Sequence, residues 1–420
     1  MSAEPDGIAA PPPRPSRRRR LWQAGAAGVV VAAAVTAALL ADNAGNGVKP
    51  SGAADANATA PAADGLRHTV VEISTSGCGH GWTRPRPGTQ VFDLHNSGAD
   101  GAEVYLTEPK SGKVYGEVEG LAPGTTRPMT VDLGSGSYAF KCVPEDADAV
   151  TGPTVTVGGS QPQGPGALPV TQHDLIPPTL AYQKWIGDRM TELAHGTAVL
   201  KTDIDGGDLA AARTDWLTAH LVYERMGAAY GTFGDADGAI NGTAARTPGA
   251  VADPSFTGFH RIEYGLWHGQ SAAALRAPAA KLDSDVRALR TSWAQARMDP
   301  ADLGLRAHEI LENAEQFELT GRTDYGSGTN LATVRANLDG TRQLLDRLRP
   351  LLTPRDPGLP RLDAAMDRTR RDLDAAHHGA GWTPLGDLTH TQRQAVNADL
   401  GDLLERLASV AALCDVRRTA

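Results

Sequence analysis

The period of hydrophobic and polar positions changes once along this chain. Between about Arg67 and Gly159, short runs alternate apolar and polar residues: His68–Ser74, Thr89–His95, Ala102–Leu106, Thr130–Leu133, Ser137–Cys142 and Thr154–Val157. Gly, Pro, Asn and Asp separate the runs. A period of two bounded by turn residues predicts strands, and short strands at this spacing predict a small all-β sandwich or barrel. From about Thr179 onward, apolar residues recur every three or four positions among Ala, Leu, Arg and Asp, which is the helical period. Predicted helices are Pro178–Lys201, Leu209–Tyr230, Gly258–Trp267, Ala272–Met298, Pro300–Leu319, Leu331–Leu352, Arg355–His378 and Thr389–Val416. They suffice for an up-and-down bundle with an apolar interior. Gly231–Asp253 interrupts them, as a loop over a site does, and residues 160–178 read as an interdomain linker.

The N-terminus reads as an address. Residues 1–20 are rich in Pro and Arg and are expected to be disordered. Arg17–Arg20 precede an uncharged run at 21–41, long enough to cross a bilayer. The arginines stay in the cytoplasm, so everything after Asp42 is exported to the cell envelope or periplasmic space. The run is either a cleaved signal, including a twin-arginine one, or a retained anchor. Asp42 spoils the small-x-small site ending at Ala44, which favours the anchor, and no Cys nearby permits lipid attachment. Residues 42–66 read as a flexible spacer. The architecture is thus multidomain: a membrane segment, an all-β domain at 67–159 and an all-α bundle at 179–416. A net charge of -9 disfavours nucleic acid as a partner and suits cation handling.

The candidate chemistry lies mostly in the helical part. His260 and Glu263 sit three apart, so they share a helix face among Phe259, Ile262, Tyr264, Leu266 and Trp267. A carboxylate in such surroundings needs a cationic partner, either Arg261 or a metal ion. His220 and Glu224 share a face four apart, and if the two helices pack, four N/O ligands converge. The alternative for Glu224 is a pair with Arg225. Asp235 and Asp237 lie in a loop that lacks the order of a calcium site. Asp324 follows a helix end and either reaches a site or organises a turn. His308-Glu309-Ile-Leu-Glu312 begins like a zinc-protease helix, but Glu312 stands where the second His is needed. In the β part, Cys78, Glu103 and Cys142 are candidate copper or iron ligands, and a Cys78–Cys142 disulfide is the alternative. Cys142 leads into Val143-Pro-Glu-Asp, which disfavours blue copper.

Together these residues resemble the imelysin family. The resemblance is carried by Gly258-Phe-His260-Arg-Ile-Glu263-Tyr, Tyr223-Glu-Arg225, Phe233-Gly-Asp235, Leu319-Thr-Gly321 and Ala336-Asn-Leu-Asp-Gly340. It covers about residues 179–416 and is strongest to EfeO-type members. Ala122-Pro-Gly124 and Gly136–Cys142 resemble the cupredoxin-like domain of the same proteins. The resemblance implies an extracytoplasmic iron-binding component that passes iron (Fe2+/Fe3+) to an EfeU-type permease alongside an EfeB-type haem peroxidase. It implies a metal site at His260 and Glu263, with Glu224 and Asp324 as further carboxylates. It also implies a second site, for copper or iron, at Cys78, Glu103 and Cys142. Such a chain is a binding protein rather than an enzyme, with assistance to iron oxidation as the one catalytic role. The alternatives are a surface zinc metallopeptidase and a structural module of the cell envelope.

Overall fold

A computed structural model describes residues 64–164, 166–244, 250–379 and 381–418. Residues 1–20, the run at 21–41 expected to be a signal or anchor, and most of the expected spacer at 42–66 lie outside the described residues. No helix among the described residues is long and apolar enough to cross a membrane.

The N-terminal part is β-rich. Its strands are β1 (His68–Ile73), β2 (Gly88–Asn96), β3 (Ala102–Thr107), β4 (Val114–Leu121), β5 (Thr126–Leu133), β6 (Gly136–Pro144), β7 (Val150–Thr151) and β8 (Val155–Val157). One sheet has the order β1-β2-β5, with β1 parallel to β2. The other runs β4-β3-β6-β7, and β8 pairs with β6. Alternate residues of both sheets, among them Ile73, Phe92, Leu94, Val104, Leu106, Leu133 and Phe140, meet in one apolar core. That shared core is why the alternating runs became strands. The sequence pattern missed β4. Its buried residues are Val114, Val118 and Leu121, so the period of two is broken. Register shifts in the β3–β4 ladder are the structural cause.

Cys78, in the loop after β1, and Cys142, on β6, are joined as a disulfide. Sulfurs bonded to each other present no thiolate to a metal, which removes these two residues as copper or iron ligands. Glu103 is also engaged elsewhere. It accepts from the Tyr105 hydroxyl at 2.5 Å and lies 3.7 Å from Arg418. Cys414 is free and buried.

The C-terminal part is helical. In chain order its helices are α1 (Gln172–Gly206), α2 (Leu209–Glu224), α3 (Tyr230–Phe233), α4 (Asp235–Asn241), α5 (Gly258–Trp267), α6 (Ala272–Trp293), α7 (Leu303–Asn313), α8 (Asn330–Leu352), α9 (Leu359–Asp374) and α10 (His390–Leu413). A π-helical turn, Ala314–Glu318, continues α7. The first helix begins inside the stretch read as a linker. Thr171 and Asp174 form a reciprocal capping box, and Pro177 and Pro178 lie inside the helix, in its second turn, where each leaves a backbone carbonyl without its usual helical donor. α1 packs along α2 and α6, α10 along α7 and α9, and α8 touches α1, α2, α7 and α9. Their inward faces form one core containing Tyr182, Trp216, Tyr223, Phe259, Leu338 and Leu403.

Candidate metal centre

α5 is fixed at its start by Gly258. Its φ is 78°, and a Cβ there would lie 2.1 Å from the carbonyl oxygen of Ile240 in α4. Only glycine allows this approach. Further along, the Trp216 indole of α2 donates to the Phe259 carbonyl at 2.9 Å, and Arg213 donates to the Leu266 carbonyl at 2.7 Å. These bonds turn His260 and Glu263 inward, where both are almost fully buried. Nδ1 of His260 lies 3.2 Å from Oε2 of Glu263. The other Glu263 oxygen accepts from the Tyr325 and Ser327 amides and the Ser327 hydroxyl, at 3.0, 3.1 and 2.6 Å.

α2 supplies the second pair. Nε2 of His220 lies 3.0 Å from Oε1 of Glu224, and both side chains are buried. The Asn241 amide donates to that oxygen at 2.7 Å and the Asn337 amide to the other at 2.9 Å. Asn337 reaches Glu224 because α8 presses on the end of α2. A Cβ on Gly340, one turn beyond Asn337, would lie 2.1 Å from the Arg225 carbonyl oxygen. The two histidine rings meet edge to face with centroids 5.4 Å apart, so the two His/Glu pairs adjoin.

Beside them is a cavity of about 260 Å³, lined by Glu224, His260, Glu318, Asn241, Asn337 and Thr323 among others. Glu318 ends the π-helical turn and is buried. It accepts from the Thr323 hydroxyl at 2.5 Å and the Asn330 amide at 2.8 Å. Three buried carboxylates therefore surround two buried imidazoles. No Lys or Arg among the described residues hydrogen-bonds to any of the three carboxylates. Among the described residues, no three His, Cys, Asp or Glu side chains are already gathered closely enough to hold a metal ion. The imidazoles and acids stand as hydrogen-bonded pairs around the space.

The helical part is similar to known proteins. The sequence profile of imelysin matches residues 179–410, more than half of the chain. The chain belongs to the imelysin family. The iron uptake system component EfeO of Yersinia pestis is 29% identical over 325 residues, covering 77% of this chain and 85% of that protein. EfeO of Escherichia coli K12 is 27% identical over 302 residues, covering 71% and 78%. A solved protein of Parabacteroides distasonis is 14% identical, covers 58% of this chain and 95% of its own, and superposes with a TM-score of 0.43.

Within the imelysin domain the other candidates fall as follows. Asp324 organises a turn: its carboxylate accepts from the Gly326 and Gly328 amides, and it is not among the cavity-lining residues. Arg261 donates to Gln270 rather than to Glu263, and Arg225 lies 3.9 Å from Asp339. Asp237 accepts from the Tyr223 hydroxyl at 2.5 Å. His308 and Glu312 pair at 3.6 Å on the partly exposed face of α7, away from the cavity. Sequence reasoning missed Glu318, Asn241, Asn330 and Asn337. Asn337 and Asn330 lie seven apart on one helix, a same-face spacing that was available as a signal.

The electrostatics of this imelysin pocket are polarised. Burial pushes the Glu224 carboxyl up, but the hydrogen bond and charge of His220 and the amides of Asn337 and Asn241 outweigh it and hold it well below the ordinary range. Burial pulls the His220 imidazole down, and Glu224 more than restores it, so His220 is raised. Glu263 is lowered: burial opposes, while His260 and Ser327 prevail. Glu318 goes the other way, pushed by burial and then by the charge of Glu224 to about 7. The groups facing Glu318 are Glu224 from α2 and His260 from α5. Because its folded value lies above the ordinary 4.5, Glu318 lends stability in its protonated form. That contribution is complete below the unfolded value and lost as pH rises through about 7. The metal-free protein is therefore expected to lose stability, roughly 3 kcal/mol from this group, between pH 5 and pH 8. Urea unfolding across that range measures it. A flat or rising profile contradicts the assignment.

Proposed function

We propose that this protein is the extracytoplasmic component of an iron uptake system, capturing iron and passing it to a membrane permease. One observation carries the reading: a cavity in the helical domain bordered by the buried side chains of Glu224, Glu318 and His260, with no Lys or Arg among its lining residues. These carboxylates are held by imidazoles and neutral donors and by no Lys or Arg side chain, so an entering cation would add favourable charge balance. Carboxylate, amide and hydroxyl oxygens beside one imidazole suit Fe2+ and Fe3+, and Zn2+ less exclusively. The similarity to iron uptake components named EfeO supports the same cargo.

In this reading His260 and Glu224 receive the ion as ligands. Glu263 orients His260 through Nδ1, leaving Nε2 as the ring's ligating atom. Asn241 and Asn337 hold Glu224 in place. Asp324 acts indirectly, shaping the turn that presents Ser327 to Glu263. The β-rich part, which we read as cupredoxin-like, is braced by the Cys78–Cys142 disulfide. The partners are an EfeU-type permease and an EfeB-type haem peroxidase, with the segment at 21–41 keeping the protein at the membrane. The test is cellular iron uptake. Cells lacking this protein are expected to take up ferrous iron poorly at limiting supply, and uptake equal to that of the parent strain defeats the proposal.

A further inference from the structure

We infer that residues 415–418 form an ionic strap that fastens the β-rich part to the helical part and opens while both parts stay folded. The inference does not depend on where iron binds.

The first argument is the path of the backbone. Val114, on the edge strand β4, and Ala167 exchange backbone hydrogen bonds of 2.8 and 2.9 Å, so the connection between the two parts extends that sheet. Three residues on, Val170 forms a parallel bridge with Val416, and its carbonyl accepts from the Arg417 amide at 2.9 Å. Arg355 donates to the Pro169 carbonyl at 3.1 Å and holds the same strip from the helical side. The tail leaves α10 at a fixed point. A Cβ on Gly304 of α7 would lie 2.4 Å from Cβ of Cys414, so the two helices meet closely there.

The second argument is charge. Nε and Nη2 of Arg417 donate to the two Glu117 oxygens on β4 at 2.5 and 2.9 Å. Arg418 donates to the Pro144 carbonyl, at the end of β6, at 3.0 Å and lies 3.7 Å from Glu103 on β3. Glu117 and Lys141 flank Tyr105 across β4, β3 and β6, on the face turned away from the shared β core. Acids crowd this seam. Partial burial pushes the Glu119 carboxyl up, and the charges of Asp415, Glu117 and Glu103 push it further. Lys141, Arg417 and Arg418 stand against these four acids. Loss of the two arginines leaves the acids of the tail and of the sheet repelling each other.

The third argument is packing. A cavity of about 300 Å³ remains between strap and sheet, bounded by Tyr105, Val114, Lys141, Pro169, Arg417 and Arg418 among others. Permanent interiors are close-packed, and this seam is not. Its side-chain attractions are ion pairs that reach solvent, with Glu117 34% and Arg418 36% exposed. Such pairs are weak one by one and are screened by salt. The strap is therefore a releasable fastening. Its opening uncovers Tyr105, Val114 and Val143, a small apolar cluster separate from the main β core.

The test is backbone amide exchange in the full chain, read at residues 167 and 417, with small-angle X-ray scattering on the same samples. Wild type is compared with Arg417→Gln/Arg418→Gln and with Glu117→Gln. Protection at both amides is expected to fall roughly 5-fold or more in the double variant, the scale of two solvent-reaching ion pairs. The same fall is expected in wild type between about 0.1 M and about 1 M salt. Amides inside β3 and α10 keep their protection, and the scattering reports a longer particle. Unchanged protection in the double variant overturns the inference. Lost protection with an unchanged particle length also overturns it, because the tail then frays without releasing either part. If the double variant unfolds as a whole, Glu117→Gln and the wild-type salt series decide, and protection indifferent to both overturns the strap.

Discussion

Glu224→Gln is expected to produce the largest combined loss, in stability and in iron binding. The Glu224 carboxylate is buried against His220 and accepts from two asparagine amides on different helices. A glutamine keeps only one accepting oxygen and turns an amide donor towards Asn241 or Asn337, which are themselves donors. It also leaves the buried His220 imidazole without its counter-charge, and Nδ1 of that ring already has no hydrogen-bond partner among the described residues. Removing one member of a buried pair costs roughly 3–5 kcal/mol, so the metal-free protein should unfold at markedly lower urea. Ferrous iron affinity should fall roughly 100-fold or more, since the ligand and the fixed geometry of its neighbours go together. Unfolding curves and an anaerobic titration measure the two losses separately. Unchanged affinity in a folded Glu224→Gln protein contradicts the placement of iron beside α2.

Removing the disulfide is expected to cost about as much, in the other half of the chain. Cys78 and Cys142 are 64 residues apart, and closing a loop of that length stabilises by roughly 4 kcal/mol in the chain-entropy account. The bridge joins the loop after β1, from one sheet, to β6, in the other, across the shared core. Cys78→Ser with Cys142→Ser should therefore lower the unfolding transition of the β-rich part and leave iron affinity of the helical part unchanged. Loss of iron binding in the double variant would mean that the sulfurs, or the β-rich part, contribute to the cation site after all.

The sequence carried most of the architecture because its two periods are strong. The change from alternating to three-and-four spacing separates β1–β8 from α1–α10, and disruptions fall where tertiary contacts override the pattern. β4 was lost because bulged pairing with β3 spreads its buried residues unevenly. The start of α1 was lost because Pro177 and Pro178 read as linker, although the helix opened by the Thr171–Asp174 box runs through both.

At the site, His220, Glu224, His260 and Glu263 were legible because each His and Glu share a helix face. Arg261 and Arg225 were plausible partners in sequence, but helix geometry sends them to Gln270 and towards Asp339. Glu318 was hidden because a π-helical turn shifts the facing of every following residue, and no pattern based on 3.6 residues per turn anticipates that. Asn241 was hidden because it lies alone on a short helix, whereas Asn330 and Asn337 share a face of α8 but reveal a role only through the carboxylates they hold.

Iron is expected to enter the chamber bounded by α2, α5 and the π-helical turn. Crystals of the full chain exposed anaerobically to Fe2+, with anomalous difference density collected at the iron edge, test it most directly. One dominant peak is expected in the cavity within ligating distance of His260 Nε2 and a Glu224 oxygen, with the His260–Glu263 pair still in place. An empty chamber in crystals whose iron peaks lie elsewhere on the chain would contradict it.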